Sequence, residues 1–410
     1  MSATARGGSV TDSATGSASG PTAPAWVLPG LVVAHILGNA PWLASSAVLP
    51  ALTEAWGFGP ASGGLLVSAV QLGFIAGTLL IAATNLADIV PPQRLFLAAA
   101  WGAGACNLLF AFASNGLVAA AGWRFATGVA LAGVYPVGMK IAVSWFPRTL
   151  GQALGWLLAA GALGTSSSYL VASSGPALPW QGVLVTASGM AALAGLLVAW
   201  IGTGPHLRPA PRLEPRMMLR VFRNPAYRAS ALGYFGHMWE IYAFWGLAPL
   251  FARLALERLG WSGARATALT AFLLVGSGAL GCVWGGRLSL TRGSRWVAAW
   301  ALVISGTCCL VAPLAARAGG WVYLAVLWVW GVSVVADSAQ FSALSAQACP
   351  PDYVGTALTV QNCIGFALTI LSIELTARLL PQLGADVSWW LAPGPWLGLW
   401  FLLRTPTQTA

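Results

Sequence analysis

Three observations predict an all-α membrane protein with twelve transmembrane helices arranged as two pseudo-symmetric six-helix bundles. The 410 residues are 58% hydrophobic and only 7% charged, where a soluble globular chain carries roughly 25% charged residues. Apolar stretches of about 20 residues, the length that crosses a bilayer, recur along the chain. One long charged connection lies midway and divides those stretches six and six.

In chain order, residues 1–25 are rich in Ser, Thr, Gly and Ala and lack the apolar run of a signal peptide. They predict a disordered cytoplasmic tail, with the first apolar helix serving as insertion signal. The twelve stretches cover 26–49, 61–83, 95–113, 117–139, 152–173, 181–203, 229–251, 265–285, 296–316, 321–343, 355–377 and 386–403. The domains expected are therefore a first bundle over 26–203, a basic cytoplasmic linker over 204–228 and a second bundle over 229–404. Within the linker, "RMMLRVFR" puts Arg216, Arg220 and Arg223 on one helical face and Met217, Met218, Val221 and Phe222 largely on the other. That suits either a short helix on the inner leaflet or a solvated connection whose charge serves topology alone.

The net charge of +10 has an account that needs no nucleic acid. With both termini inside, Arg6, Arg94, Lys140, Arg148, Arg287, Arg292, Arg295, Arg404 and six linker arginines (208, 212, 216, 220, 223, 228) are cytoplasmic. Only Arg253, Arg258, Arg265, Arg317 and Arg378 remain outside. This is the cytoplasmic excess of Lys and Arg that orients membrane proteins.

The halves repeat. His35 and His237 differ by 202 positions, Leu86 and Leu288 by 202, Gly57 and Gly260 by 203, and "LGQALGW" at 150–156 echoes "VGTALTV" at 354–360. Such constant offsets argue for duplication of a six-helix unit, a transporter plan whose site lies at the midplane between the halves.

Other chemistries find little support. The six cysteines form no CxxC pair and read as small apolar filler. "GSGALG" at 276–281 fits a dinucleotide pattern but lies inside an apolar helix with no strand before it, so close helix packing explains it. His35, His206 and His237 have no metal-ligand spacing, and no Ser-His-acid set is evident. No enzymatic activity, cofactor or metal is expected.

The intramembrane polar residues are the candidate site, because an ionisable side chain at bilayer depth usually faces a cavity or a partner. "GYFGHMWEIYAFW" places Gly233, His237, Glu240 and Phe244 on one face of the seventh stretch, with Glu240 near the midplane. A small residue, two titratable groups and an aromatic ring on one face look like cavity lining; interhelical hydrogen bonding is the competing account. The first stretch carries His35, Asn39 and Trp42 in a similar stripe. The tenth offers Ser333, Asp337 and Gln340, and the eleventh Gln361 and Asn362. Glu374 and Arg378, one turn apart, read as structural, as do Gly73 and Gly77.

The loop "NLADIVPPQR" retains Leu86, Asp88 and Arg94 of the pattern Gly-x-Leu-x-Asp-Arg-x-Gly-Arg-Arg. Its second copy, "GGRLSLTRGSR", retains Gly286, Leu288, Arg292, Gly293 and Arg295, and the fourth stretch has Arg124 and Gly128 in Arg-x-x-x-Gly. In these motifs the chain resembles the major facilitator superfamily. "GVYPVGMKIAVSWFPRTLGQALG" and "GHMWEIYAFW" are similar to a bacterial branch whose members mostly lack assigned substrates, which implies the bacterial inner (plasma) membrane. The fifth stretch reads "GALGTSSSYL" without the Gly-Pro pair of many drug antiporters, which speaks against multidrug efflux. The resemblance implies a monomeric secondary transporter that works by alternating access. It would move a small organic solute, an anion if Arg124 attracts the cargo, with proton coupling through Glu240, tuned by His237. Asp88, Arg94, Arg292 and Arg295 would form the inner gate. Efflux antiport and a non-transporting sensor are the alternatives.

Overall fold

The structure, a computed structural model, describes residues 23–147, 149–174, 178–207, 209, 220–261, 263–350 and 353–404. Among them, nine helical segments are long and apolar enough to cross a membrane. These are Pro60–Thr84 (helix 2), Pro92–Ala113 (helix 3), Leu117–Trp145 (helix 4), Leu150–Ala172 (helix 5), Trp180–Ile201 (helix 6), Ala264–Arg292 (helix 8), Ser294–Ala318 (helix 9), Gly320–Gln347 (helix 10) and Val354–Arg404. The last divides into helix 11, Val354–Leu383, and helix 12, Pro393–Arg404. Helix 1 (Val27–Gly38, Ala44–Ala47, Leu49–Trp56) and helix 7 (Pro225–Gly246, Ala248–Glu257) complete the twelve. Helix 1 is broken near its middle, and helix 7 about two-thirds of the way along, at Leu247.

Prolines account for three breaks, since proline has no N–H and its ring crowds the carbonyl four residues before it. Pro41 lies in the non-helical turn of helix 1, Pro136 follows the break of helix 4 at 132–134, and Pro249 follows the break of helix 7 at Leu247. Helix 10 is broken between Ser333 and Ser338, with Asp337 in the break.

An even number of crossings brings both chain ends to one side, called here the terminal side; the other is the distal side. Glycines set the tightest contacts within the first half. A Cβ on Gly73 would lie 2.0 Å from the carbonyl oxygen of Phe125, and one on Gly128 would lie 2.1 Å from that of Val70. Helices 2 and 4 therefore pack backbone to backbone, as small residues permit. Across the halves, helix 2 packs on helix 11, where Gly64 faces Ala377, and helix 5 packs on helix 8, where Gly276 faces Ser166. Large apolar side chains such as Leu72, Leu80, Phe112, Trp200 and Trp284 point outward, as a lipid-facing surface requires.

Several boundaries differ from expectation. Helix 4 runs on to Trp145, so Lys140 belongs to a helix and not to the loop after it. Helix 7 starts at Pro225, inside the expected linker, with Asn224 capping it by accepting from the Ala226 and Tyr227 amides. Of the predicted linker helix, residues 216–219 lie outside the described residues, and Arg220–Arg223 form one 3-10 turn. The predicted tail lies outside the described residues through position 22, as does Arg148.

Candidate functional site

The face of helix 7 that the sequence singled out is buried, and it is filled by neighbouring helices. Glu240 is completely inaccessible. Ser305 Oγ of helix 9 donates to its Oε1 at 2.6 Å. Trp330 Nε1 of helix 10 donates to its Oε2 at 3.1 Å, and Cys309 Sγ of helix 9 donates to the same oxygen at 3.3 Å. Three donors around one carboxylate satisfy a group that would otherwise be costly to bury. Gly233 is needed two turns nearer the terminal side on this face, where a Cβ would lie 2.4 Å from the Phe341 ring. The expectation of cavity lining is thus corrected in this conformation, because helices 9 and 10 occupy the face. Cys309 is also more than filler: its thiol is a hydrogen-bond donor.

One turn toward the terminal side, His237 bridges to the break in helix 10. Its Nδ1 lies 2.8 Å from Asp337 Oδ1, and its Nε2 lies 2.9 Å from Ser338 Oγ. His237 and Asp337 are both 1% exposed, so nearly all water is excluded from the pair. Absence of helical structure between Ser333 and Ser338 is what lets successive residues Asp337 and Ser338 reach the two sides of one imidazole.

The repeat partner of His237 behaves differently. His35 is fully buried against helix 4, where Gly138 leaves room for its ring: a Cβ there would lie 2.2 Å from Nε2. Neither ring nitrogen has a hydrogen-bond partner among the described residues. Asn39 donates to the His35 carbonyl at 2.8 Å and so closes the first segment of helix 1.

Arg124 answers the break that follows. Its Nη1 donates to Pro41 O at 2.9 Å and to Asn107 Oδ1 at 3.2 Å, and its Nη2 donates to Trp42 O at 2.5 Å. These carbonyls lie where the turn at Pro41 interrupts the helical bonds, and the guanidinium fork spans both of them. Asn107 is held in turn by Leu184 O and Ser188 Oγ of helix 6. The terminal-side residues of the second half pair among themselves. Ser345 Oγ lies 2.8 Å from Ser230 Oγ and 2.5 Å from Gln361 Oε1. Gln340 is buried on helix 10, and Asn362 is half-buried on helix 11.

Of the gate candidates, Asp88, Arg292 and Arg295 have described partners of their own. Asp88 pairs with Lys140, which also donates to Ala87 O at 2.8 Å, so the loop after helix 2 is tied to helix 4. Arg295 donates to the Leu402 and Leu403 carbonyls at the end of helix 12. Arg292 lies over the Trp296 ring, 5.7 Å from its centroid, and Arg94 is exposed at the start of helix 3.

Between the halves lies a group of rings at the middle of four helices. Trp42 of helix 1 and Phe74 of helix 2 meet Tyr242 of helix 7 and Phe366 of helix 11. Their centroids are 5.9 Å apart for Trp42–Tyr242, 6.1 Å for Trp42–Phe366 and 4.6 Å for Phe74–Phe366. Trp245 adjoins Tyr242 at 5.6 Å. On its distal side, two hydrogen bonds cross the seam. Tyr169 donates to Trp245 O at 2.9 Å, and Ser46 donates to Gly246 O. Trp245 O is the carbonyl that Pro249 cannot serve, so the break of helix 7 supplies the acceptor. Beyond these bonds lies a distal cavity of about 440 Å³, lined by both halves and including Glu54, Arg253 and Glu257.

Sequence reasoning did not single out Gln71, Tyr169, Tyr242 or Phe366. Gln71 had a usable signal, as a lone amide in an apolar stretch. The rings had none, because aromatic residues are common throughout the chain and only folding brings these together.

Comparison with known proteins follows the same lines. Residues 31–373 match the family model described as Major Facilitator Superfamily. No curated protein matches the chain. Among solved structures, the chain is similar to a bacterial homolog to the human lysosomal transporter Spinster, in an inward-facing and unoccupied conformation, at 15% identity over 92% of this chain and 94% of that one, with a TM-score of 0.67. It is similar also to the human organic anion transporter MFSD10 (TETRAN), at 17% identity over 92% of this chain and 98% of that one, with a TM-score of 0.68. At these identities the likeness is one of fold.

Proposed function

Because the chain belongs to the Major Facilitator Superfamily, we propose that it is a proton-coupled secondary transporter that moves a small organic solute by alternating access. It works as a monomer in a bacterial inner membrane with both termini cytoplasmic. The bundles of 26–203 and 229–404 rock about the seam, with 204–228 joining them on the cytoplasmic side. Membrane transport follows from the family; the cargo, the coupling and the orientation are this reading.

The observation that carries it is the pair of buried acids in the second half. Glu240 clamps helices 7, 9 and 10 through three donors, and Asp337 holds His237 at the break of helix 10. A neutral Glu240 has an O–H of its own, so its hydrogen bonds must rearrange: a donor is displaced, or Ser305 Oγ turns from donor to acceptor. The clamp then weakens, and helix 10 is free to move at its break. Protonation is thereby tied to helix position, which is what coupling requires. Arg124 is occupied by helix 1, so its role in this reading is to hold the broken helix and not to attract an anion.

Glu240→Gln keeps the shape and cannot ionise. In proteoliposomes it is expected to abolish accumulation driven by a pH gradient and to spare exchange between equilibrated compartments. Accumulation that survives in the variant moves the coupling role to Asp337. Loss of exchange as well makes Glu240 a structural or substrate residue. A wild-type protein that moves no solute across a broad panel is a sensor.

A further inference from the structure

We infer that the rings at the seam are the substrate's seat, and that the seat takes a flat, uncharged aromatic solute bearing oxygen or nitrogen acceptors. The inference rests on the transport reading above and names its cargo class. Two independent observations support it.

The first is the arrangement of the rings. The ring-to-ring contacts across the seam each join a ring of helix 1 or 2 to one of helix 7 or 11. Trp42 and Tyr242 are near parallel, at 21°, with centroids 5.9 Å apart. When the halves part, both faces lose their partners. A planar ring inserted between two faces needs two contact distances, about 7 Å. The closed stack must therefore part to admit a flat solute, and the solute restores the ring contacts that opening removes.

The second is a set of buried polar groups with no partner. Gln71 is fully buried, and both its amide oxygen and its amide nitrogen lack hydrogen-bond partners among the described residues. The indole N–H groups of Trp42, 3% exposed, and Trp245, 5% exposed, lack them too. Gln71 lies on the face of helix 2 between Val67, which touches Gly246, and Phe74, whose ring is in the stack. Buried polar groups are normally satisfied, and leaving one unmade costs about 1–3 kcal/mol. Here the donors outnumber the acceptors, two indoles and one amide NH2 against one amide oxygen. They call for a ligand with acceptors.

Charge is what the seat lacks. Trp42, Gln71, Phe74, Tyr242, Trp245 and Phe366 include no ionisable acid or base at neutral pH. The two hydrogen bonds from Ser46 and Tyr169 separate the rings from the charged distal cavity. An anion here would meet no cation among the seat's side chains, since Arg124 is committed to the Pro41 and Trp42 carbonyls, and would be desolvated at a cost the three donors cannot repay. A cation would find ring faces, but the indole N–H groups would repel it.

Three probes on one bicyclic frame test this: quinolin-2-one (neutral), quinoline-2-carboxylate (anionic) and N-methylquinolinium (cationic). Thermal unfolding of the purified full-length protein reads binding, because a ligand that binds only the folded state raises apparent stability. Quinolin-2-one is expected to raise the unfolding temperature in a concentration-dependent way, and the charged probes are not. Gln71→Leu is expected to weaken that binding about tenfold while the unliganded protein unfolds at the same or a higher temperature. Trp42→Phe, which retains the ring but not the N–H, is expected to weaken it by a smaller factor. Preference for either charged probe overturns the inference. So does stabilisation by none of the three, or neutral binding that Gln71→Leu leaves unchanged; the rings are then only a plug. Flux of the same probes in proteoliposomes separates the two readings. Neutral binding without flux retains the seat and overturns transport, whereas flux of a charged probe alone retains transport and overturns the seat.

Discussion

Arg124, on helix 4 of the first half, and Glu240, on helix 7 of the second, solve the same problem with opposite charge. Each is a fully buried ion whose partners come from two neighbouring helices of its own half. Glu240 gathers donors; Arg124 gathers acceptors that the Pro41 turn leaves open. Arg124→Ala strands the Trp42 carbonyl and the Asn107 amide oxygen and leaves Pro41 O only the 3.4 Å bond from the Ala44 amide, at about 1–3 kcal/mol for each unsatisfied group before relaxation. The expected result is a markedly lower unfolding temperature. Arg124→Lys is expected to recover less than half of that loss, because a single ammonium does not span two carbonyls as a planar fork does. Full recovery by lysine would show that charge matters here and geometry does not.

At the scale of elements, the glycines of helices 2 and 4 decide how close the backbones come. Gly128 faces Val70 O so closely that any Cβ requires the helices to move apart. Gly128→Ala is expected to lower the unfolding temperature and to reduce the amount of folded protein recovered from membranes. Gly122, on the same helix, has nothing within 4 Å of its ideal Cβ. Gly122→Ala is expected to be neutral or to stabilise by up to about 1 kcal/mol through helix propensity alone. Equal effects at both positions would mean that close approach is not what Gly128 provides.

For the whole molecule, the distal seam is held partly by hydrogen bonds to carbonyls at the break of helix 7, Trp245 O being the one Pro249 leaves open. Tyr169→Phe removes one of them, worth about 1 kcal/mol, and so shifts the balance toward distal opening by a factor of about five. In a cysteine-free background, a cysteine at Val67 beside Gly246 is expected to react faster with an impermeant thiol reagent by that factor. An unchanged rate would remove Tyr169 from the gate. The arginine asymmetry makes a second prediction at this scale. A cysteine at Leu207 should stay unlabelled by the same reagent in intact cells and become labelled after permeabilisation. Labelling before permeabilisation would invert the orientation.

Composition and hydropathy were enough for twelve crossings in two repeated halves, since a bilayer demands long apolar helices whatever their neighbours are. Buried Glu240, His237, Asp337 and Arg124 were legible for the same reason: an ionisable group in an apolar stretch stands out one residue at a time. Their partners were not legible. Cys309 and Trp330 resemble filler in a chain full of apolar residues, and Lys140 looked like a loop charge until helix 4 proved longer. Pro41, Pro136 and Pro249 could each have marked a kink or a clean break. That Arg124 took up carbonyls of the Pro41 turn, and Tyr169 the one Pro249 leaves open, depended on helices distant in sequence. Only the tertiary structure brought Trp42, Phe74, Tyr242 and Phe366 together, because helical periodicity assigns a side chain to a face and packing alone decides what that face meets.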